Sequence, residues 1–193
     1  MQAQEEDREK KMKVQLKTEL QVKHLENIKK IVVLSDTHIP VRASKIPEKI
    51  INECKDTDLI VHAGDFQTIE VVNNLESYGN FIAVYGNMDS GDVAEKLPEK
   101  IIINIKNTDK EFKIGITHGS GAPDDLTQRI LDFFEEKLDC IIFGHSHKPF
   151  NEILNNTLLF NPGSPTDTVF TTINTFGILR INNEIKGEII KLE

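Results

Sequence analysis

Ile31-Val-Val-Leu-Ser-Asp36 (IVVLSD) decides how the chain is read. It is a continuous apolar run that ends in polar residues, the pattern of a strand buried on both faces. LIVHAGD (59–65), FIAVYGN (81–87) and CIIFGHSH (140–147) repeat it. Between them, Pro47 stands where a helix would begin, and 47–55 reads as a short helix, as does 67–76. Residues 100–105 and 112–117 are predicted strands around the polar turn KNTDK (106–110). Pro123 and the two aspartates after it open an amphipathic pattern running to Lys137. This predicts a helix with acids at the positive end of its dipole. From residue 151 onward, short alternating strands are separated by Asn155-Asn156 and Asn182-Asn183, which are turn signals. The order starts as βαβαβ and finishes as antiparallel β. An α/β fold of two packed mixed β-sheets flanked by helices satisfies it best.

The chain has 193 residues, enough for one domain with an appendage. Residues 30–193 read as the domain and 1–29 as a charged N-terminal arm. Hydrophobic residues are 38% and charged residues 28%, which excludes collagen-like and coiled-coil classes. No apolar run reaches the ~20 residues of a membrane helix. The N-terminus is charged where a signal peptide would be apolar. Cys54 and Cys140 have no metal-type spacing and fit a reducing compartment, so a cytoplasmic location is expected. Residues 1–30 carry a net charge of +2 and the rest −10, giving the total of −8. Such a body repels nucleic acid and anionic membrane, so neither is an expected partner. If the substrate is an anion, bound metal is the obvious means of reversing the local sign. In the arm, Met12, Val14, Leu16, Thr18, Leu20 and Val22 share one parity. Periodicity reads this as an extended arm that docks an edge and could mediate homo-oligomer contacts. Propensity reads it as a frayed helix.

Polar residues gather just past the ends of these strands, where α/β folds place their sites. They are Asp36, His38, Asp65, Asn87, His118, His145 and His147. Several adjoin a glycine: Gly64-Asp65, Gly86-Asn87, His118-Gly119 and Gly144-His145. Seven oxygen and nitrogen donors with no cysteine are too many for one tetrahedral zinc. They suit two borderline or hard divalent ions sharing a carboxylate, Mn first, with Ni, Fe, Co or Zn also compatible. No other cofactor site is read.

SDTH (35–38), HAGD (62–65), YGNMD (85–89), THG (117–119), GHSH (144–147) and NPGS (161–164) resemble, in order and spacing, the calcineurin-like metallophosphoesterases. The small bacterial and archaeal phosphodiesterase branch, the YfcE type, is the nearest resemblance. DTHIP and NPGS also resemble the retromer subunit of the same fold. The resemblance covers residues 30–193. It implies the metallophosphoesterase α/β sandwich. It implies one metal on Asp36, His38, Asp65 and His147, and a second on Asp65, Asn87, His118 and His145. Asp65 bridges the two, and Asp65, Asn87 and His118 also serve catalysis. The implied activity is hydrolysis of a small phosphoester, a phosphodiester first, by a metal-bridging hydroxide. Two ions ~3.5–4 Å apart lower the pKa of a shared water toward ~7. With that hydroxide the centre keeps a formal charge of about +1, which attracts phosphate into an acidic protein. The alternatives are a protein-interaction scaffold like the retromer subunit, and a phosphomonoesterase or nucleotide hydrolase with the same site.

The chain departs from the wider family twice. Met88 stands where many members have a histidine after the motif asparagine, and Ser120 stands where the phosphodiesterase branch tends to have HGH. Neither can protonate a leaving group as histidine would. Asp89 is the nearest residue for a supporting role, with capping of the following turn as the alternative. His62 reads as support or packing rather than a ligand, Arg42 as an exposed loop residue, and Phe133 and Phe134 as helix core. Ser35, Ser120 and Ser164 lack the surroundings of a serine nucleophile.

Overall fold

The structure is a computed structural model that describes residues 21–108 and 110–192. Its strands are β1 (Gln21–Glu26), β2 (Lys30–Leu34), β3 (Leu59–His62), β4 (Phe81–Ala83), β5 (Lys100–Lys106), β6 (Glu111–Thr117), β7 (Cys140–Ile142), β8 (Phe150–Leu154), β9 (Thr157–Asn161), β10 (Thr175–Ile181) and β11 (Ile185–Lys191). The helices are α1 (Glu48–Lys55), α2 (Ile69–Glu76), α3 (Gly91–Lys96) and α4 (Leu126–Asp132). They build two sheets. The five-stranded one has the order β11-β10-β2-β3-β4 and the six-stranded one β1-β5-β6-β7-β9-β8. Both are mixed. β2, β3 and β4 run parallel and β10 antiparallel to β2; β6, β7 and β9 run parallel and β5 antiparallel to β6. Among the described residues no helix is long and apolar enough to cross a membrane.

Three apolar clusters explain the layering. Ile31 and Val33 of β2 face Ile101, Ile103 and Ile114 of the other sheet, in the core between them. The opposite parity, Val32 and Leu34, lies under α1 and α2 with Ile50, Val72 and Leu75. Ile102 and Ile141 face outward to Ile130 of α4. Central strands are thus covered on both sides, which is why they read as unbroken apolar runs. Each fully buried Ile, Val or Leu contributes roughly 1.5–3 kcal/mol, so the strand ends that carry the polar residues are anchored firmly.

Several expectations need correction. The helix predicted through Lys137 stops at Asp132. Beyond it, Phe134 and Leu138 drop onto the bare backbone of Gly115 in β6, where an added Cβ would lie 2.8 and 2.6 Å from them. Tertiary packing overrides helical periodicity there. The six-residue α3 escaped the sequence because only Val93 of it is buried, so it shows no apolar period. In the arm, β1 docks parallel on the edge of β5, Gln21 opposite Ile101. Yet Val22 is 47% exposed, and Leu25 packs on the core instead. The face expected to be buried therefore does not include Val22. Its members from Met12 to Leu20 lie outside the described residues. Both Asn-Asn pairs stand between paired antiparallel strands, β8 and β9, and β10 and β11. Asn155 and Asn156 have φ of 52° and 65°, as a tight hairpin turn of the primed type requires.

Candidate metal centre

The parallel strands deliver their C-terminal ends to one place. Asp36 and His38 follow β2, Asp65 follows β3, His118 follows β6, and His145 and His147 follow β7. Five of these hold a left-handed backbone: φ is 53° at Asp36, 42° at His38, 61° at Asp65, 70° at His145 and 58° at His147. Each such residue costs on the order of 1–3 kcal/mol, and strain of this kind concentrates at functional sites. Bare glycines permit the close approach. A Cβ on Gly86 would lie 2.2 Å from Asp65 Oδ1, and one on Gly144 2.9 Å from Asp36 Oδ2.

Donor atoms of Asp36, His38, Asp65 and His147 all lie within 4.8 Å of one another, and all four side chains are buried. His147 donates its Nδ1 proton to Asp167 Oδ2 at 2.7 Å, which leaves a lone pair on Nε2. That nitrogen faces His38 Nε2 at 3.2 Å and Asp36 Oδ1 at 3.4 Å. His38 Nε2 in turn lies 3.5 Å from Asp65 Oδ2. Ligands at ~2.0–2.2 Å from a common ion are separated by about this much. Electron-rich atoms converging in a buried space are balanced by protons or by a cation, and the spacing of these four residues fits a divalent ion.

The remaining donors adjoin this set. His118 Nδ1 donates to the carbonyl of Ala63 at 2.7 Å. Its Nε2 is buried, has no hydrogen-bond partner among the described residues, and lies 3.2 Å from Asp65 Oδ2. The ring of His145 meets that of His118 edge-on, with centroids 5.4 Å apart. His145 Nδ1 is 3.0 Å from Asn87 Oδ1 and its Nε2 is 2.7 Å from the carbonyl of Gly121. Asn87 and His145 stand on the more open side, so the second donor group is looser than the first.

The carboxylates and rings set each other's protonation. Burial opposes the His118 imidazolium, but the adjacent Asp65 and Asp36 charges outweigh it and raise the pKa to about 9. Burial also opposes the Asp65 carboxylate, yet His118, the Met88 N–H at 2.8 Å and His38 keep its pKa below the ordinary value. His38 goes the other way, lowered mainly by burial. With that pKa, metal-free protein would hold a proton on His118 at neutral pH, and an ion bound there would have to displace it. Affinity for Mn is expected to rise with pH, about tenfold per unit from pH 6 to 8, with about one proton released per chain. Calorimetry in buffers of different ionisation enthalpy measures this. A pH-independent affinity with no proton release would contradict it.

Supporting residues surround the donors. Asp89, a candidate for support from the sequence, accepts backbone N–H groups from Asp65 at 3.0 Å, Gly86 at 2.8 Å and Gln67 at 2.8 Å. It shapes both donor loops. Burial raises its pKa although those N–H groups oppose the shift. His62 is no ligand. Its ring stacks on Phe66 at 3.6 Å, its Nδ1 accepts the Gly64 N–H, and its Nε2 meets Thr37 Oγ1. In the 161–164 turn, Asn161 binds the carbonyl of Gly144 and Ser164 that of Asp36, both at 2.7 Å. Arg42 is less free than expected. Its Nε lies 3.6 Å from Asp167 Oδ1, and its guanidinium covers Phe170. Asp167 itself is the functional residue the sequence did not reveal. Lying three residues past Ser164 in an irregular loop, it offers only its place beside the NPGS turn as a signal.

The sequence profile of the calcineurin-like phosphoesterase superfamily domain matches residues 30–184. A probable metallophosphoesterase of Methanothermobacter thermautotrophicus is 38% identical over 163 residues, covering 83% of this chain and 91% of the relative. A phosphodiesterase of Methanocaldococcus jannaschii is 31% identical over 173 residues, covering 83% and 98%. In structure the chain is similar to wild-type Vps29 of Entamoeba histolytica complexed with zinc. The TM-score is 0.61 with 26% identity, over 84% of this chain and 98% of that one.

Proposed function

The chain belongs to the calcineurin-like phosphoesterase superfamily, and on that premise we propose that it is a phosphodiesterase dependent on two divalent ions. The observation that carries this reading is the buried convergence of Asp36, His38, Asp65 and His147. These four would hold one ion. Asp65, Asn87, His118 and His145 would hold the other. When bound, such a pair supplies a hydroxide nucleophile near neutral pH and a counter-charge for phosphate. The protein fixes the donors. Asp167 orients His147, Ala63 orients His118, and Asp89 holds the Asp65 and Gly86 backbone. Neither cysteine offers a nucleophile. Both are buried, and burial pushes the Cys54 thiol up to about 12 and that of Cys140 higher still.

Leaving-group chemistry favours diesters. Met88 is exposed at the edge of the site, and only its backbone N–H engages Asp65. Asp89 is occupied by three backbone donors and is no free acid. General-acid help, worth about 10²–10⁴ in rate, is absent from these positions. An activated diester monoanion needs it least and suits a centre of about +1 best. With Mn-refilled protein, kcat/KM for bis(p-nitrophenyl) phosphate is expected to exceed that for p-nitrophenyl phosphate, which has the same leaving group, through the charge of the centre alone, and that for an alkyl monoester by at least about tenfold. The reverse order would assign the site to monoesters. The likeness to Vps29 supports a second reading, an interaction scaffold of the same fold. That reading requires no turnover of either ester by the metal-loaded protein.

A further inference from the structure

A cleft of about 280 Å³ opens beside the donor cluster, lined among others by Tyr85, Asn87, Glu99, His118, Ile130 and Phe133. Asn87 and His118 belong to both places, so the cleft begins where a phosphate held at the centre would end. Its far walls are flat or apolar: Tyr85, Ile130 and Phe133. The Phe133 ring carries a cation over one face: the Lys100 ammonium sits 4.4 Å from the ring centroid and donates to the Phe133 carbonyl at 3.1 Å.

The charges in the cleft are selective. Arg129 is the cationic side chain among the lining residues apart from His118. Its guanidinium is already committed, donating to the carbonyls of Ser120 at 3.2 Å, Asp124 at 2.7 Å and Ala122. It clamps the loop and does not await a second anion. Glu99 is exposed at the same cleft and brings a carboxylate that also raises the Tyr85 pKa, after burial. A ligand with a second negative group would meet the Glu99 carboxylate here, whereas a ring meets the aromatic side chains of Tyr85 and Phe133. The volume lies just below the ~300–1,000 Å³ of typical small-molecule pockets, which suits one ring system and not an oligonucleotide or an acyl chain.

We infer that this cleft binds an uncharged aromatic group esterified to the phosphate. The inference deepens the phosphodiesterase reading and rests on it for the phosphate half of the ligand. Tyr85 and Phe133 are the specificity residues, and Glu99 excludes anionic rings.

The test is equilibrium binding, independent of turnover. Mn-loaded protein is titrated calorimetrically with phenylphosphonate and methylphosphonate, which differ by the ring alone. Phenylphosphonate is expected to bind about tenfold tighter, as burial of most of a phenyl ring implies. Phe133→Leu and Tyr85→Leu should each reduce that preference to below about threefold, with Mn content and methylphosphonate affinity retained and only the modest loss of unfolding temperature that lost packing on the core brings. Two separate positions keep the test decisive if one variant folds poorly. Glu99→Gln should narrow the discrimination against 4-carboxyphenylphosphonate. Equal affinities for the two phosphonates, a ring preference that survives both substitutions, or no phenylphosphonate binding by protein that holds Mn would each overturn the inference. A ring preference without hydrolysis of any ester would leave the cleft assignment standing and reject the activity.

Discussion

Asp65→Asn is expected to lower kcat/KM for a phosphodiester by about 10²–10⁴, more than Asn87→Ala. Asp65 is 2% exposed, and its Oδ2 lies 3.2 Å from His118 Nε2 and 3.5 Å from His38 Nε2. It thus reaches toward both donor groups. Loss of one partner from a buried charge pair costs about 3–5 kcal/mol, and each ~1.4 kcal/mol is a factor of ten in rate. Asn87 is neutral, exposed and placed on one side only, so its loss should cost about one to two decades at saturating Mn. The substitution also removes the charge that holds the His118 pKa at about 9, so its metal uptake should depend less on pH. Circular dichroism establishes folding, and steady-state kinetics gives the ranking. An equal or smaller loss than Asn87→Ala would contradict the shared role of Asp65.

Asp167→Ala is the second large effect. Asp167 is 1% exposed and touches none of the predicted ligands except His147, which it holds through Nδ1. It also accepts the N–H groups of Val169 and Phe170. Burial opposes its charge, but these N–H groups and His147 keep its pKa below the ordinary value, so it is ionised at neutral pH. Without it, His147 loses both its tautomer and its ring orientation. Mn affinity should fall about 10–100-fold, the usual cost of removing a carboxylate behind a ligating histidine. Arg42→Ala should cost less, since its guanidinium approaches Asp167 only to 3.6 Å. Equilibrium dialysis against Mn measures both, and unchanged affinity in Asp167→Ala would show that the loop alone positions His147.

These two residues also mark how far the sequence could be read. Asp65 was legible because it follows a largely apolar strand and a glycine, and each of the seven donors lies just past such a strand. Buried strands announce themselves by composition, and their termini converge by topology. Asp167 was not legible because its link to His147 spans 20 residues and is made between loops, where no period exists. The short reach of α4 had a similar cause. Nothing local reveals that Phe134 and Leu138 would find a bare patch at Gly115. Nor could residue type alone show that Arg129 would be consumed by loop carbonyls.

The proposed centre holds two divalent ions at the strand ends, with Asp65 between them. Elemental analysis of metal-stripped protein, refilled with Mn and freed of excess, tests it most directly. Two ions per chain, falling to one or fewer in Asp65→Ala, is the result the proposal predicts. One ion or none in the unaltered protein, with all seven donors intact, would contradict it.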